Sequence, residues 1–218
     1  MTLNLATLIE PNSPVAEAYR RLRVNLASAG REQPLRTILV AAASASKDKP
    51  QVAANLGVAF ARVGQRVILV DCDLRHPGQH TLFGVSSAAG VTTAVRDEKA
   101  ALPLQVTEVP GLQLLTAGPR IDVPSDLLAS PAMGQLVKRL AGEADIVLFD
   151  APPVTVATDA AELATQVDGV VLTIAAGVTK REEAQRANEL LAQVGARVVG
   201  AVLVNVATEA AVRDYLAA

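Results

Sequence analysis

Residues 35–56, Leu35-Arg-Thr-Ile-Leu-Val-Ala-Ala-Ala-Ser-Ala-Ser-Lys-Asp-Lys-Pro-Gln-Val-Ala-Ala-Asn-Leu56, decide how this chain is read. Ile38, Leu39 and Val40 begin an apolar run of the kind that forms a strand buried on both faces. A loop of small residues follows, then Lys49, then an Ala-rich segment that suits a helix. Strand, small-residue loop, lysine and helix in that order form the layout of a phosphate-binding loop at the first strand-to-helix turn of an α/β domain. Two details cut across that layout. The loop holds no glycine, and Pro50 follows the lysine where a serine or threonine belongs.

Working outward, 218 residues suit one domain with a full core and a terminal extension. Hydrophobic residues make up 50% and aromatics only 2%, so the core must be built from aliphatic strands and Ala/Leu helices. The net charge of −2 provides no field to recruit nucleic acid or an anionic membrane. A single cysteine, Cys72, excludes an internal disulfide and reads as a small buried hydrophobe at a strand end. The first residues show no signal-peptide pattern, and no apolar run approaches the roughly 18–20 residues of a membrane helix. The expectation is a soluble cytoplasmic protein that reaches a membrane through a partner.

The chain divides into an N-terminal part, 1–34, and an α/β domain, 35–218. Residues 1–12 read as an extended arm. Ser13 caps a helix that has Pro14 at its first position and Gly30 as its stop. Val15, Tyr19, Leu22 and Leu26 form an apolar stripe on it, while Glu17, Arg20 and Arg23 recur every three residues as a charged one. The charged stripe is either a solvated face or a contact with a second copy. Strands are predicted over 37–42, 66–71, 112–117, 145–150, 169–175 and 197–204. Helices are predicted over 51–63, 131–142, 159–165, 181–194 and 209–216, with short helical pieces near 79–83, 92–97 and 126–128. Continuous Val/Ile/Leu strands alternating with helices indicate a mainly parallel sheet between two helical layers.

Ligands of such sheets bind beyond the carboxyl ends of the strands. Two strands finish on aspartates, Val70-Asp71-Cys72-Asp73 and Phe149-Asp150-Ala151-Pro152. Asp71 and Asp73 lie two apart on an extended chain and point the same way. Asp150 can converge on them from the other strand. Three carboxylates beside a phosphate loop suit Mg²⁺, and one of them suits proton abstraction from a hydroxyl. Aspartates also end strands simply as turn formers.

Taken together, these segments resemble the bacterial tyrosine kinases of capsule and exopolysaccharide export, a P-loop NTPase branch related to partition and division-site ATPases. The likeness extends over about 13–206. Glu17-Ala-Tyr-Arg20-Arg-Leu-Arg23 is similar to the family's E-x-x-R-x-x-R oligomerisation motif. Val70-Asp71-Cys-Asp73-Leu-Arg75-His-Pro77 resembles its second acidic motif, and Val147-Leu-Phe-Asp150 its Walker B segment. Pro124-Ser-Asp-Leu-Leu128 and Val167-Asp168-Gly-Val-Val171 fit as well. The resemblance implies a P-loop α/β fold and an ATP·Mg²⁺-dependent autokinase that forms ring-like homo-oligomers through its N-terminal helix. It also implies a membrane chain-length determinant, or polysaccharide co-polymerase, as partner. Lys49 would be the Walker A lysine, holding phosphates among Ser46, Asp48, Pro50, Gln51 and Arg75. Asp71 and Asp150 would hold the metal, and Asp73 would act as base.

The loop departs from the family pattern P-G-E-G-K-[ST]-[ST], which appears here as Ala45-Ser-Lys-Asp-Lys-Pro-Gln51. Glycines allow positive φ and close backbone approach to phosphate, and both are replaced. Asp48 puts negative charge where phosphates would sit. Pro50 provides neither a metal-ligating hydroxyl nor an N–H, although it starts a helix well. The family's tyrosine-rich tail is also lacking. Only Tyr19 and Tyr215 occur, so Tyr215 is the one acceptor candidate near the end. The expectation is a pseudokinase-like scaffold or regulator of exopolysaccharide or capsule synthesis and export, binding ATP weakly or not at all. The alternatives are an active ATP-dependent autokinase with a rebuilt loop, and a partition- or positioning-type adaptor.

Overall fold

A computed structural model describes residues 5–45 and 49–207, with the backbone but not the side chain of Lys49. Alternation along the central strands builds the layers. In β1 (Thr37–Ala42), Ile38 and Val40 face one side while Leu39 and Ala41 face the other, and all six residues are buried. The same division runs through β2 (Val67–Asp71), β5 (Ile146–Ala151) and β6 (Gly169–Ala175). These strands join β3 (Gln105–Val106), β4 (Leu112–Leu115) and β7 (Val198–Val204) in one sheet of order β3-β4-β2-β5-β1-β6-β7. Every pairing is parallel except β3 with β4. The fold is thus the expected α/β P-loop NTPase type.

On one face lie α1 (Ala6–Ile9), α2 (Pro14–Ala29) and α3 (Lys49–Ala61). On the other lie α5 (Val91–Arg96), α7 (Pro131–Glu143), α8 (Asp159–Ala164) and α9 (Arg181–Gln193). Two short helices, α4 (Gln79–Phe83) and α6 (Pro124–Leu128), complete the set among the described residues. No described helix is long and apolar enough to cross a membrane. The predicted 209–216 helix lies outside the described residues.

Two local expectations are corrected, and one residue's role is refined. Residues 6–9 are helical rather than extended, with Leu5 fully buried. The reason is distant in sequence: Thr7 donates from its backbone N (3.0 Å) and Oγ1 (2.8 Å) to Asn55 Oδ1 on α3. Val15, assigned to the apolar stripe of α2, is 47% exposed, whereas Leu26 is buried and Tyr19 and Leu22 are half-buried. Gly30 does end α2 after a Ser13 cap, but at φ −75°, so left-handed freedom is not its use. A Cβ there would lie 3.3 Å from Leu35 Cβ, which makes the gain one of close packing.

The amino ends of the strands are pinned by structural carboxylates. Asp168 Oδ2 accepts from the backbone N of Arg36 and of Thr37, both at 2.8 Å, where β1 begins. Asp145 pairs with Arg66 at 2.8 Å, and that hydrogen-bonded guanidinium holds its pKa below the ordinary carboxylate value. Asp168, part of the resemblance, therefore sits at the end of the sheet opposite Asp71 and Asp150.

Asn55→Ala strips two buried donors of Thr7 of their acceptor. It should cost about 1–3 kcal/mol in urea unfolding and speed proteolysis within the first residues. Unchanged stability together with an unchanged cleavage pattern would contradict this anchoring.

Candidate functional site

The pairing of β2 with β5 sets Asp71 directly opposite Asp150, and on the other side of β5 Asp150 lies opposite Val40 of β1. Both carboxylates are fully buried at the carboxyl ends of their strands. Asp71 Oδ2 accepts from the backbone N of Gly78 (3.0 Å) and of Gln79 (2.9 Å). Those bonds fold the chain after β2 back onto the strand end and seat the start of α4. Asp73, 6% exposed, accepts at Oδ1 from His76 N at 3.0 Å, a turn-forming contact. The structure therefore brings the two predicted metal carboxylates side by side, with Asp73 just beyond.

Gln79 was not predicted. It is fully buried, and its Nε2 donates to Asp150 Oδ2 (2.8 Å) and to the Pro50 carbonyl (2.9 Å). Pro50 also abuts Gly78, where a Cβ would lie 3.4 Å from its Cγ. The head of α3 is thus tied to the segment after β2 and, through one amide, to β5. The sequence offered one faint signal, a long polar side chain two residues beyond Pro77 on the loop leaving the acidic pair.

Arg75 was predicted as an anion ligand. In the structure its Nε and Nη2 reach Asp159 Oδ2 and Oδ1 on α8, each at 2.9 Å. Asp159 is fully buried, and this hydrogen-bonded carboxylate raises the Arg75 pKa above its ordinary value. The pair joins the loop after β2 to the first residue of α8. The loop after β1 begins under similar restraint. Thr155 Oγ1 donates to Ala43 O (2.8 Å), and buried Ser44 shares a 3.0 Å hydroxyl contact with Thr179.

Of the remaining loop candidates, Ser46, Asp48 and the Lys49 side chain lie outside the described residues, as does Tyr215. Lys49 heads α3, and exposed Gln51 lines a cavity of about 500 Å³ shared with Pro14, Tyr19, Leu22, Val204 and Asn205. The α2 candidates separate into two roles. Arg20 pairs with Glu17 at 2.6 Å and donates from Nη1 to Pro11 O, also 2.6 Å. Arg23 is half-buried beside Thr7, Ala59 and Arg62, and its buried Nε has no hydrogen-bond partner among the described residues. No described cluster of three His, Cys, Asp or Glu side chains is placed to hold a metal ion.

Set against known proteins, this chain is 34% identical over 204 residues to tyrosine-protein kinase YwqD of Bacillus subtilis (strain 168). That match covers 93% of this chain and 86% of YwqD. The chain belongs to the bacterial tyrosine kinase family. A family model described as ParA, NUBPL iron-transfer P-loop NTPase, matches residues 35–211. The kinase domain of Escherichia coli tyrosine kinase ETK superposes with a TM-score of 0.90 at 28% identity, covering 96% of this chain and 83% of that one. The chimerical protein CapA2B2 gives a TM-score of 0.87 at 29% identity, covering 93% and 90%. The family's kinase-domain fold is thus matched along nearly the whole chain.

Replacing Arg75 with Met leaves a buried carboxylate without its guanidinium. The loss should be roughly 1–3 kcal/mol, below that of a fully enclosed pair because Arg75 reaches solvent. Urea titration should show the midpoint fall in Arg75→Met and recover in Arg75→Met/Asp159→Leu. Equal midpoints for wild type and Arg75→Met would contradict the structural role of this pair.

Proposed function

We propose that this member of the bacterial tyrosine kinase family works without efficient phosphotransfer. It acts as a scaffold or regulatory subunit of exopolysaccharide or capsule synthesis and export, and binds ATP weakly or not at all. The observation that carries the reading is the bridge from the Gln79 amide to the Pro50 carbonyl and Asp150. A working phosphate loop presents N–H groups to phosphate and a hydroxyl to Mg²⁺. Pro50 provides neither, and its carbonyl is held by a side chain from another segment.

Hydrogen bonds already made by the strand-end carboxylates support weak metal–nucleotide binding. Asp150 Oδ2 accepts one hydrogen from the Gln79 amide, and Asp71 Oδ2 accepts from two backbone N–H groups. The replaced loop glycines support the same reading. Self-association through the α2 surface around Glu17 and Arg20, and attachment to a membrane co-polymerase, belong to the proposal as its scaffold function.

An active autokinase is the second reading, favoured by one observation: Asp71, Asp73 and Asp150 all stand at neighbouring strand ends beside the start of α3. Incubation with Mg²⁺ and γ-labelled ATP separates the two. Wild type and Asp150→Ala should incorporate equally little label. Label in the wild type that is lost in Asp150→Ala would overturn the non-catalytic reading.

A further inference from the structure

The edge strand β7 differs from the strands at the centre of the sheet. Every residue of β1, β2 and β5 is buried, whereas the carboxyl half of β7 alternates between exposed and half-buried. Val202 and Val204 pack against the core on the side of α2 and α3, yet Leu203 and the following Val206 are 62% and 57% exposed. These residues form one wall of the cavity of about 500 Å³, and Val15, Tyr19 and Leu22 of α2 form another. Apolar side chains exposed on two elements that meet at one cavity mark a binding face.

The chain itself leads onto that face. Asn205 takes φ 60°, a left-handed conformation that asparagine tolerates and that ends the extended run of β7. Asn205, Val206 and Ala207 all line the cavity, so the chain reaches residue 208 at its rim. Residues 208–218 lie outside the described residues. Their sequence, Thr208-Glu-Ala-Ala-Val-Arg-Asp-Tyr-Leu-Ala-Ala218, sets Val212, Tyr215 and Leu216 at the i, i+3, i+4 spacing of one helix face. Arg213 and Asp214 fall away from that face, while Glu209 flanks it. The exposed Arg21 on the cavity wall offers Glu209 an opposite charge. A segment tethered at the rim competes for the cavity at a roughly millimolar effective concentration, well ahead of a second copy in dilute solution.

We propose that residues 208–218 fold onto this cavity as a short amphipathic helix, with the Tyr215 ring seated beside Tyr19 and Leu22. The seated segment covers the apolar end of β7 and the flank of α2 around Val15 and Arg21. It makes Tyr215 an anchor of packing, and it holds whether or not the chain transfers phosphate.

Tyr19 and Tyr215 are the only tyrosines, so a dityrosine within one chain can join no other pair. The full chain at low concentration, oxidised briefly by light with a ruthenium tris-bipyridyl complex and persulfate, should give dityrosine fluorescence in the monomer band of a denaturing gel. Tyr215→Phe should abolish it. Hydrogen exchange separates seating from chance encounter. Amides of 202–207 and of α2 should exchange about 10-fold faster or more in Val212→Asp/Leu216→Asp than in the wild type, as the loss of two buried aliphatic anchors requires. Should the double substitution unfold the chain, Leu216→Ala gives the same comparison. Links found only between chains would mean that a second copy fills the cavity, and they overturn the proposal. A monomer link with unchanged exchange overturns it too, as does the absence of any link.

Discussion

The parallel register between β2 and β5 is the constraint from which the rest of the site follows. It sets Val67 opposite Ile146 at one end and Asp71 opposite Asp150 at the other. A slip of one residue would turn the aspartates toward the opposite helical layer and exchange the two apolar faces. With the register fixed, two carboxylates emerge abreast in a place closed to solvent. Such groups need donors close by. Backbone N–H groups of Gly78 and Gln79 serve Asp71, and the Gln79 amide serves Asp150. The path of the chain after β2 is therefore dictated by electrostatics at the strand ends.

The same logic reaches α3 and the N-terminus. Pro50 is a good first-turn residue, so its presence keeps the helix while removing the groups that phosphate and Mg²⁺ use. Its carbonyl is then recruited by Gln79. A turn further along, Asn55 donates from Nδ2 to Gln51 O at 2.8 Å and turns Oδ1 to Thr7. One helix thus carries a rewritten ligand end and an intact structural flank. On the proposed reading, that combination keeps the family fold while weakening the family's chemistry.

Much of this was legible in the sequence because buried parallel strands announce themselves as continuous aliphatic runs. The central strands and the placement of Asp71 and Asp150 at strand ends follow from that signal. The two-residue β3 is too short to show a period, and it pairs only at the sheet's antiparallel edge. The helix at 6–9 was read as extended because its stabilising partner, Asn55, lies 48 residues away. Arg75 looked like a free cation because Asp159, 84 residues on, is brought to it only by the fold. Gln79 was illegible for the same reason. An isolated glutamine has no periodicity or motif, and its meaning comes from two oxygens that the topology delivers to it.

The central claim is that the rewritten loop at the head of α3 leaves this family member without efficient nucleotide chemistry. A crystal structure of the full chain soaked with Mg·ATP tests it most directly. The account predicts the Gln79 amide between Asp150 and the Pro50 carbonyl, with no triphosphate at the head of α3. Density for a triphosphate there, with a metal ion between it and Asp150 and Gln79 swung aside, would contradict it.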